Sequence, residues 1–536
     1  MKQPSTQSHR FGQTPGVKIG RSKFDRSHGL KTTFDSAYLV PVLVDEVLPG
    51  DTFNLRASFF ARLSTPLKPI MDNMYLESFF FFVPNRLLWS NWEKFNGAQN
   101  APGDSTAYAI PTVPMPAGGP AVGTLFDYFG LPSGSQITGG YNVSALWSRA
   151  YNLIWNTWFR DENLQNPVTV DTGDAADTYA NYVLKKRGKR HDYFTSCLPW
   201  PQKGAAVQIP AGASSAPVTL VPYTTSTNPM LLNLRDSATA TTNGVALTPG
   251  SEGGYAHALY NVTDNKGLTL DPNGRLIADL SSAFATTINQ LRLAEQTQVL
   301  LERDARGGTR YTEILRSHFG VTSPDYRLQR PEYLGGGSTV VNTHPVPLTT
   351  KGDGTAAGAQ GNLAAFGTAE ARGHGFNKSF TEHGVIIGLV NVRADLTYQQ
   401  GIHRMWLRST RFDFYWPSLA HIGEQVVTNA EIWAQGAAAD TAAFGYQARY
   451  EEYRYKPSVI TGKFRSDYAT PLDVWHLAQR FTSLPTLGDT FITEAPPVSR
   501  VVAVTSEPQF IMDSFFNYSC ARPLPVYGVP GLGARF

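Results

Sequence analysis

Between residues 52 and 64 the chain alternates almost without exception. Phe53, Leu55, Ala57, Phe59, Ala61 and Leu63 fall on one face and Asn54, Arg56, Ser58, Arg62 and Ser64 on the other, with Phe60 alone out of place. A period of two predicts a strand half-buried on one side. Residues 38–47 predict a strand before it and residues 74–83 one after it. The latter contains FFFFV from Phe79, apolar on both faces, as in a strand sandwiched between layers. Further strands are expected at 385–392, 411–416, 444–455, 459–465 and 501–512, so β structure occupies both ends of the chain. The period changes in the middle. Residues 143–161 and 283–305 have helical spacing, the second placing Phe284, Ile288, Leu291, Gln298, Leu301 and Ala305 near one face behind Ser281 or Ser282 as N-cap. Gly307 and Gly308 stop that helix, a shorter one ends at Gly320, and a Pro-punctuated extended run follows. Strands split by helices and loops predict one mainly β domain with large insertions.

Two inserts differ by composition. In residues 204–274, Thr, Ala, Gly, Ser and Pro supply 39 of 71 residues, too few apolar groups for a core, although VTLVPY, NPMLLNL and GLTL are short runs able to form strands when packed on copies of themselves. The stretch KGDGTAAGAQGNLAAFGTAEARG from Lys351 is Gly/Ala-rich and is expected to be a flexible surface loop.

Net charge is only +3, but residues 1–31 carry Lys2, Arg10, Lys18, Arg21, Lys23, Arg26 and Lys31 against Asp25 alone, seven minus one. This stretch is expected to be an arm that a partner must order, its cations Lys18, Arg21, Lys23, Arg26 and Lys31 being candidates for DNA phosphate. The other candidates are Lys185, Lys186, Arg187, Lys189 and Arg190, the densest charge in the chain, for which a solvated helix end or salt bridges between subunits are the competing readings.

Enzyme chemistry finds no foothold. No phosphate-binding loop and no GxSxG elbow occur. Gly352, Gly354 and Gly358 have the wrong spacing for a dinucleotide site, and the pair His421 and Glu424 lacks a third metal ligand. Glu451 and Glu452, adjacent on an expected strand, point to opposite faces and cannot cooperate. Cys197 and Cys520 form neither a disulfide framework nor a metal motif. No catalytic residue, cofactor or metal is assigned. No run of about 18 apolar residues is present, so membrane insertion is not expected.

Five blocks carry a resemblance that grammar alone does not supply: HDYFTSCLPWPQKG from His191, LERDARGGTRYTEILRSHFGVTSPDYRLQRPEYLGGG from Leu301, HRMWLRSTRFDFYWPSLAHIGEQ from His403, YEEYRYKPSVITGKFR from Tyr450 and ARPLPVYGVPGL from Ala521. They resemble major capsid proteins of the gokushovirus branch of the Microviridae, single-stranded DNA bacteriophages (the microvirus F protein family). The likeness fades at residues 98–120, 204–274 and 351–375. It implies an eight-stranded jelly roll with large inserted loops and several helices. It also implies a T=1 icosahedral shell of about 60 copies around single-stranded DNA, assembled in the host cytoplasm. The organisation expected is a basic arm at 1–35, a jelly-roll core at 36–203 and 275–536, and a surface insertion at 204–274 gathered at threefold axes for host recognition. The implied partners are further copies of the chain, the genome, a small basic DNA-binding protein and a host receptor. A secreted β-rich carbohydrate-active enzyme and a phage receptor-binding module are the alternatives from other classes.

Overall fold

A computed structural model describes residues 20–527, apart from 106, 135–136, 322–328, 351, 353–359 and most of 208–287. Lys18, the serines expected to cap the second helix, and the run GLTL lie outside the described residues. Contacts divide the chain into two units, residues 1–201 with 304–536 and residues 202–303.

The first unit is built on one antiparallel sheet. Its strands are β1 (Ser22–Asp25), β2 (His28–Phe34), β3 (Val40–Val47), β4 (Thr52–Leu63), β5 (Met74–Pro84), β6 (Glu332–Pro347), β7 (Leu363–Ser379), β8 (Gly384–Ala394) and β9 (Phe510–Arg522). Hydrogen bonding runs β1-β9-β4-β7-β6-β5-β8-β3, and β2 lies beside β1 along the same edge of β9. Leaving aside the short β1, eight strands form two groups of four: β2-β9-β4-β7 and β6-β5-β8-β3. The long β6 joins them, pairing with β5 through Val341 and with β7 from Asn342 onward. Successive strands alternate between the groups, except that β5 and β6 share one. That is the winding of a jelly roll, and the curled sheet is jelly-roll-like.

The two groups face each other across a single core. Phe53, Leu55, Phe59, Leu76, Phe80, Ile386, Val390, Phe510 and Phe516 meet there, drawn from both. The alternation read in residues 52–63 is reproduced position by position, and Phe60 points away from the core. The FFFFV strand is covered on both faces as expected. Its second face packs Phe81 and Val83, with Val385, Ile387 and Leu389 of β8, against a helical layer containing Phe126, Tyr151, Ile154 and Trp155. The helix expected at 143–161 is α1 (Leu146–Ile154), continued by a π turn over Trp155–Phe159. The glycine stops also hold: α2 spans Ile288–Arg306, and α3 (Tyr311–Phe319) ends on Gly320 with positive φ.

Several expectations are corrected. Residues 22–34 of the basic stretch are ordered without a partner: Phe24 and Leu30 are half-buried and Phe34 is buried, enough to hold β1 and β2 on β9. Residues 363–373, read as part of a flexible loop, belong to the inner strand β7. Ala365, Gly367, Ala369 and Ala371 alternate inward, and smallness is what the site requires, since a Cβ on Gly367 would meet Leu63 Cβ at 3.0 Å. No strand forms at 411–416 or 459–465, where single 3₁₀ turns stand instead. At 411–413 the Thr410 and Asp413 side chains take the backbone donors in a capping box. The expected strand at 444–455 stops at Ala448, and Glu451 and Glu452 lie in a turn. The one expected at 501–512 begins only at Phe510.

In the second unit Val218–Leu220 pairs with Leu276–Ala278 and Leu231–Arg235 with Thr242–Ala246. Two of the apolar runs thus become strands by pairing within their own chain.

Candidate assembly and nucleic-acid interfaces

The candidate cations separate into two groups. Arg21 just before β1, Lys23 on β1 and Lys31 on β2 are exposed. Arg21 donates to Thr52 Oγ1 and to the Ala521 carbonyl, and Lys31 meets exposed Asp513 at 3.0 Å, a pair that water screens to little effect. Arg26 turns inward onto the Asp45 carboxylate, which also accepts the Tyr518 hydroxyl at 2.8 Å.

Lys185 to Arg190 is neither a helix end nor solvated. The segment is irregular chain, bridged to Tyr38 at Lys186 and to Thr493 at Gly188. The Lys185 ammonium lies 5.7 Å from the Trp155 ring centroid and Lys186 5.0 Å from that of Tyr38. Arg187, Arg190 and Arg393 converge on one buried carboxylate, Glu77. Burial raises the Glu77 carboxyl, but the Arg187 and Arg393 guanidiniums outweigh it and hold it below its ordinary range. Arg190 also reaches Asp395 at 3.2 Å. Lys189 is buried, donates to Gln479 Oε1 at 2.8 Å and lies 4.2 Å from the Phe491 centroid. Burial pushes Lys189 down to about 8 and the neighbouring Glu494 up to about 7. The densest basic run therefore ties parts of one subunit together, each cation already holding a partner.

A larger feature left no periodic signal. Ile402 to Trp416 and Tyr453 to Val459 present an uncovered aromatic face: Trp406 is 75% exposed, Phe412 63%, and Phe414, Tyr415 and Tyr453 about half. Phe414, Tyr415 and Tyr453 gather around Arg408. The Tyr415 and Tyr453 ring centroids are 6.2 Å apart, and the Arg408 guanidinium sits 4.3 Å from Tyr453 and 5.4 Å from Phe414. A cavity of about 460 Å³ beside it is lined by Trp406, Tyr455 and Val459. Beneath lies a buried ionic platform. Glu431 accepts Arg404 at 2.9 Å and the Tyr193 hydroxyl at 2.8 Å, while Glu452 accepts Arg408 at 3.2 Å and Gln425 at 2.7 Å. The patch is thus held in shape before anything binds it. The aromatic density of HRMWLRSTRFDFYW was its only sequence signal, and it pointed equally to a core.

Among the described residues no cluster of His, Cys, Asp and Glu is arranged to hold a metal. No described helix is long and apolar enough to cross a membrane.

A jelly-roll-like chain with long insertions and an exposed aromatic face has the build of a shell component. Comparison with known proteins gives the same class. The family described as capsid protein (F protein) matches residues 12–532, so the chain belongs to the Microviridae F capsid protein family, whose members are structural proteins and not enzymes. It is 51% identical to capsid protein VP1 of Bdellovibrio phage phiMH2K over 98% of each chain. It is 43% identical to VP1 of Chlamydia phage 1 and 37% identical to VP1 of Spiroplasma virus 4, over 99% of each chain in both cases. The chain is a major capsid protein of a virion of this type.

Proposed function

We propose that the chain closes into a T=1 shell of about 60 copies around single-stranded DNA, and that the aromatic face at 402–416 and 453–459 is one of its subunit contacts. The observation that carries the contact is the size of the uncovered face. Taking about 200 Å² per aromatic side chain, the exposed fractions of Trp406, Phe412, Phe414, Tyr415, Trp416 and Tyr453 leave roughly 600–700 Å² wet. That approaches the roughly 800 Å² each partner contributes to a standard interface, and soluble monomers rarely leave such a patch open. Phe412→Glu with Tyr415→Glu tests it. Both side chains are exposed, so subunit stability should shift by no more than about 0.5 kcal/mol per site, while each carboxylate would be stranded in the contact. Particles counted by electron microscopy should fall at least tenfold at unchanged melting temperature. Wild-type particle yield from the double variant sinks the assignment.

Residues 204–274 are proposed as a surface insertion for host recognition. The supports are a length beyond a simple connection, a composition unable to build a core, and strands at 218–220 and 231–235 paired within the second unit. Replacing residues 205–273 by a short Gly/Ser linker should leave shells that assemble but adsorb poorly to host cells. Failure to close would make the insertion a brace between subunits, and normal adsorption by closed shells would remove the recognition role. The exposed arm cations offset only part of a genome's phosphate charge, which supports a small basic DNA-binding protein as a further partner.

A further inference from the structure

The two four-stranded groups are treated differently on their outer faces. Outside β5 and β8 the helical layer excludes water from Phe81, Val83, Val385 and Ile387. Outside β4, β7 and β9 the helical layer does not seal the sheet: Phe60, Arg62, Ile511 and Asp513 line one side of an open cavity of about 1140 Å³ whose other side is formed by Val122, Thr124, Tyr128 and Val183, and the side chains of this face are not those of an ordinary solvated one. Phe60 is 51% exposed and Phe515 54%. Their positions follow from register: Phe60 lies opposite Asp513 of β9 and Glu370 of β7, and Phe515 lies opposite Ser58, two residues before Phe60 on β4. The two rings are therefore diagonal neighbours across adjoining strands, within about 7–8 Å. Around them on the same face stand Arg56 opposite Asn517, Arg62 opposite Ile511, Arg372 opposite Ser58, and Lys31 opposite Asp513. Lys23 extends the row on β1, opposite Ala521.

On the strands of this face five cations, Lys23, Lys31, Arg56, Arg62 and Arg372, stand with three acids, Asp25, Asp513 and Glu370, an excess of two, while Asp35 and Asp127 border the cavity at the Arg62 end. The pairs Arg372 with Glu370 and Lys31 with Asp513 are solvent-exposed and cost little to exchange for another anion. A second protein surface would have to supply acids for Arg56 and Arg62, and charged groups are depleted in the buried centres of such contacts. A single-stranded nucleic acid fits both features at once: its phosphates answer the guanidiniums and its unpaired bases stack on the rings. We propose that this open sheet face binds single-stranded DNA, with Phe60 and Phe515 stacking on bases and Arg56, Arg62 and Arg372 contacting phosphates, so that this half of the sheet lines the inner wall of the shell.

The inference rests on the shell reading, but its first test does not require assembly. Unassembled full-length subunits are titrated with oligothymidylate across a salt series. Phe60→Ala with Phe515→Ala should weaken binding about tenfold or more while leaving the salt slope intact. Arg56→Gln, Arg62→Gln and Arg372→Gln together should flatten the slope of log affinity against log salt by about 2, at about 0.7 per phosphate contact. Wild-type affinity and slope in both variants overturn the site, and duplex bound as tightly as the single strand overturns the stacking. Wild-type particles supply an arm without substitutions. Ultraviolet crosslinks from packaged DNA should map to β4 and β9. Crosslinks confined to other segments, or protection of this face in DNA-free particles, overturn the proposal. If wild-type subunits form no particles the shell reading fails, and the oligothymidylate titration still decides the site.

Discussion

Arg149→Met should lower the stability of the subunit by about 3–5 kcal/mol, measured as a lower urea midpoint with little change in slope. The side chain of Arg149 is fully buried. It forms a two-pronged ion pair with Asp177, Nε to Oδ2 at 2.8 Å and one terminal nitrogen to Oδ1 at 2.6 Å, and donates to the carbonyls of Leu88 at 3.0 Å and Gly173 at 3.1 Å. Removing the guanidinium leaves the Asp177 carboxylate buried with only the Tyr182 hydroxyl to answer it, and strands two carbonyls. A buried pair replaced as a whole is less costly than one broken. Arg149→Met combined with Asp177→Leu should therefore recover part of the loss. If the double variant is as unstable as the sum of the singles, the pair is not the origin of the effect. The consequence for assembly lies in what α1 covers: it holds the helical layer over β5 and β8, and a loosened layer would expose Phe81 and Ile387.

What could be read from the residues alone follows the physics of each element. The β4 alternation and the doubly apolar FFFFV run announce their burial because large side chains report it directly. The helix stops at Gly307 and Gly320 were legible because backbone conformation there depends on one residue. β7 was not, because its buried face is built from Ala and Gly, whose composition reads as loop until the facing bulk of Phe59 and Leu63 is known. β1 and β2 were hidden by their lysines and arginines, which sit on the exposed side of strands whose inward residues, Phe24, Leu30 and Phe34, are sparse. Conversely, the aromatic run at 411–416 looked like a strand and is an exposed set of turns. The candidate sites divide in the same way. Lys185 to Arg190 stood out by density, yet their acidic partners Glu77, Asp395 and Glu494 lie far off in sequence, so their neutralisation was invisible. Phe60 did stand out as the single exception to the alternation. Its meaning needed Phe515, more than 450 residues away, which only the β4–β9 register places beside it.

Gly375→Ala is expected to be among the most damaging single-methyl changes in the sheet. A Cβ at this position would lie 2.0 Å from the Leu55 carbonyl oxygen and 2.8 Å from its carbon. The obstacle is backbone of the adjoining β4, and no side-chain rotation relieves it. Strands β4 and β7 would have to part around the bulge between Arg372 and His374, breaking ladder hydrogen bonds on both sides. The expected cost is about 3 kcal/mol or more, in the range reserved for overpacking in a core. Gly103→Ala is the control: nothing lies within 4 Å of its Cβ, and its stability should stay within about 0.5 kcal/mol of wild type. Because Arg56 sits opposite Gly375 and four residues before Phe60, the same displacement should weaken oligothymidylate binding wherever the variant subunit remains folded. Thermal unfolding of both variants beside wild type decides the first point, and equal melting temperatures for Gly375→Ala and Gly103→Ala would mean that the strands part at little cost.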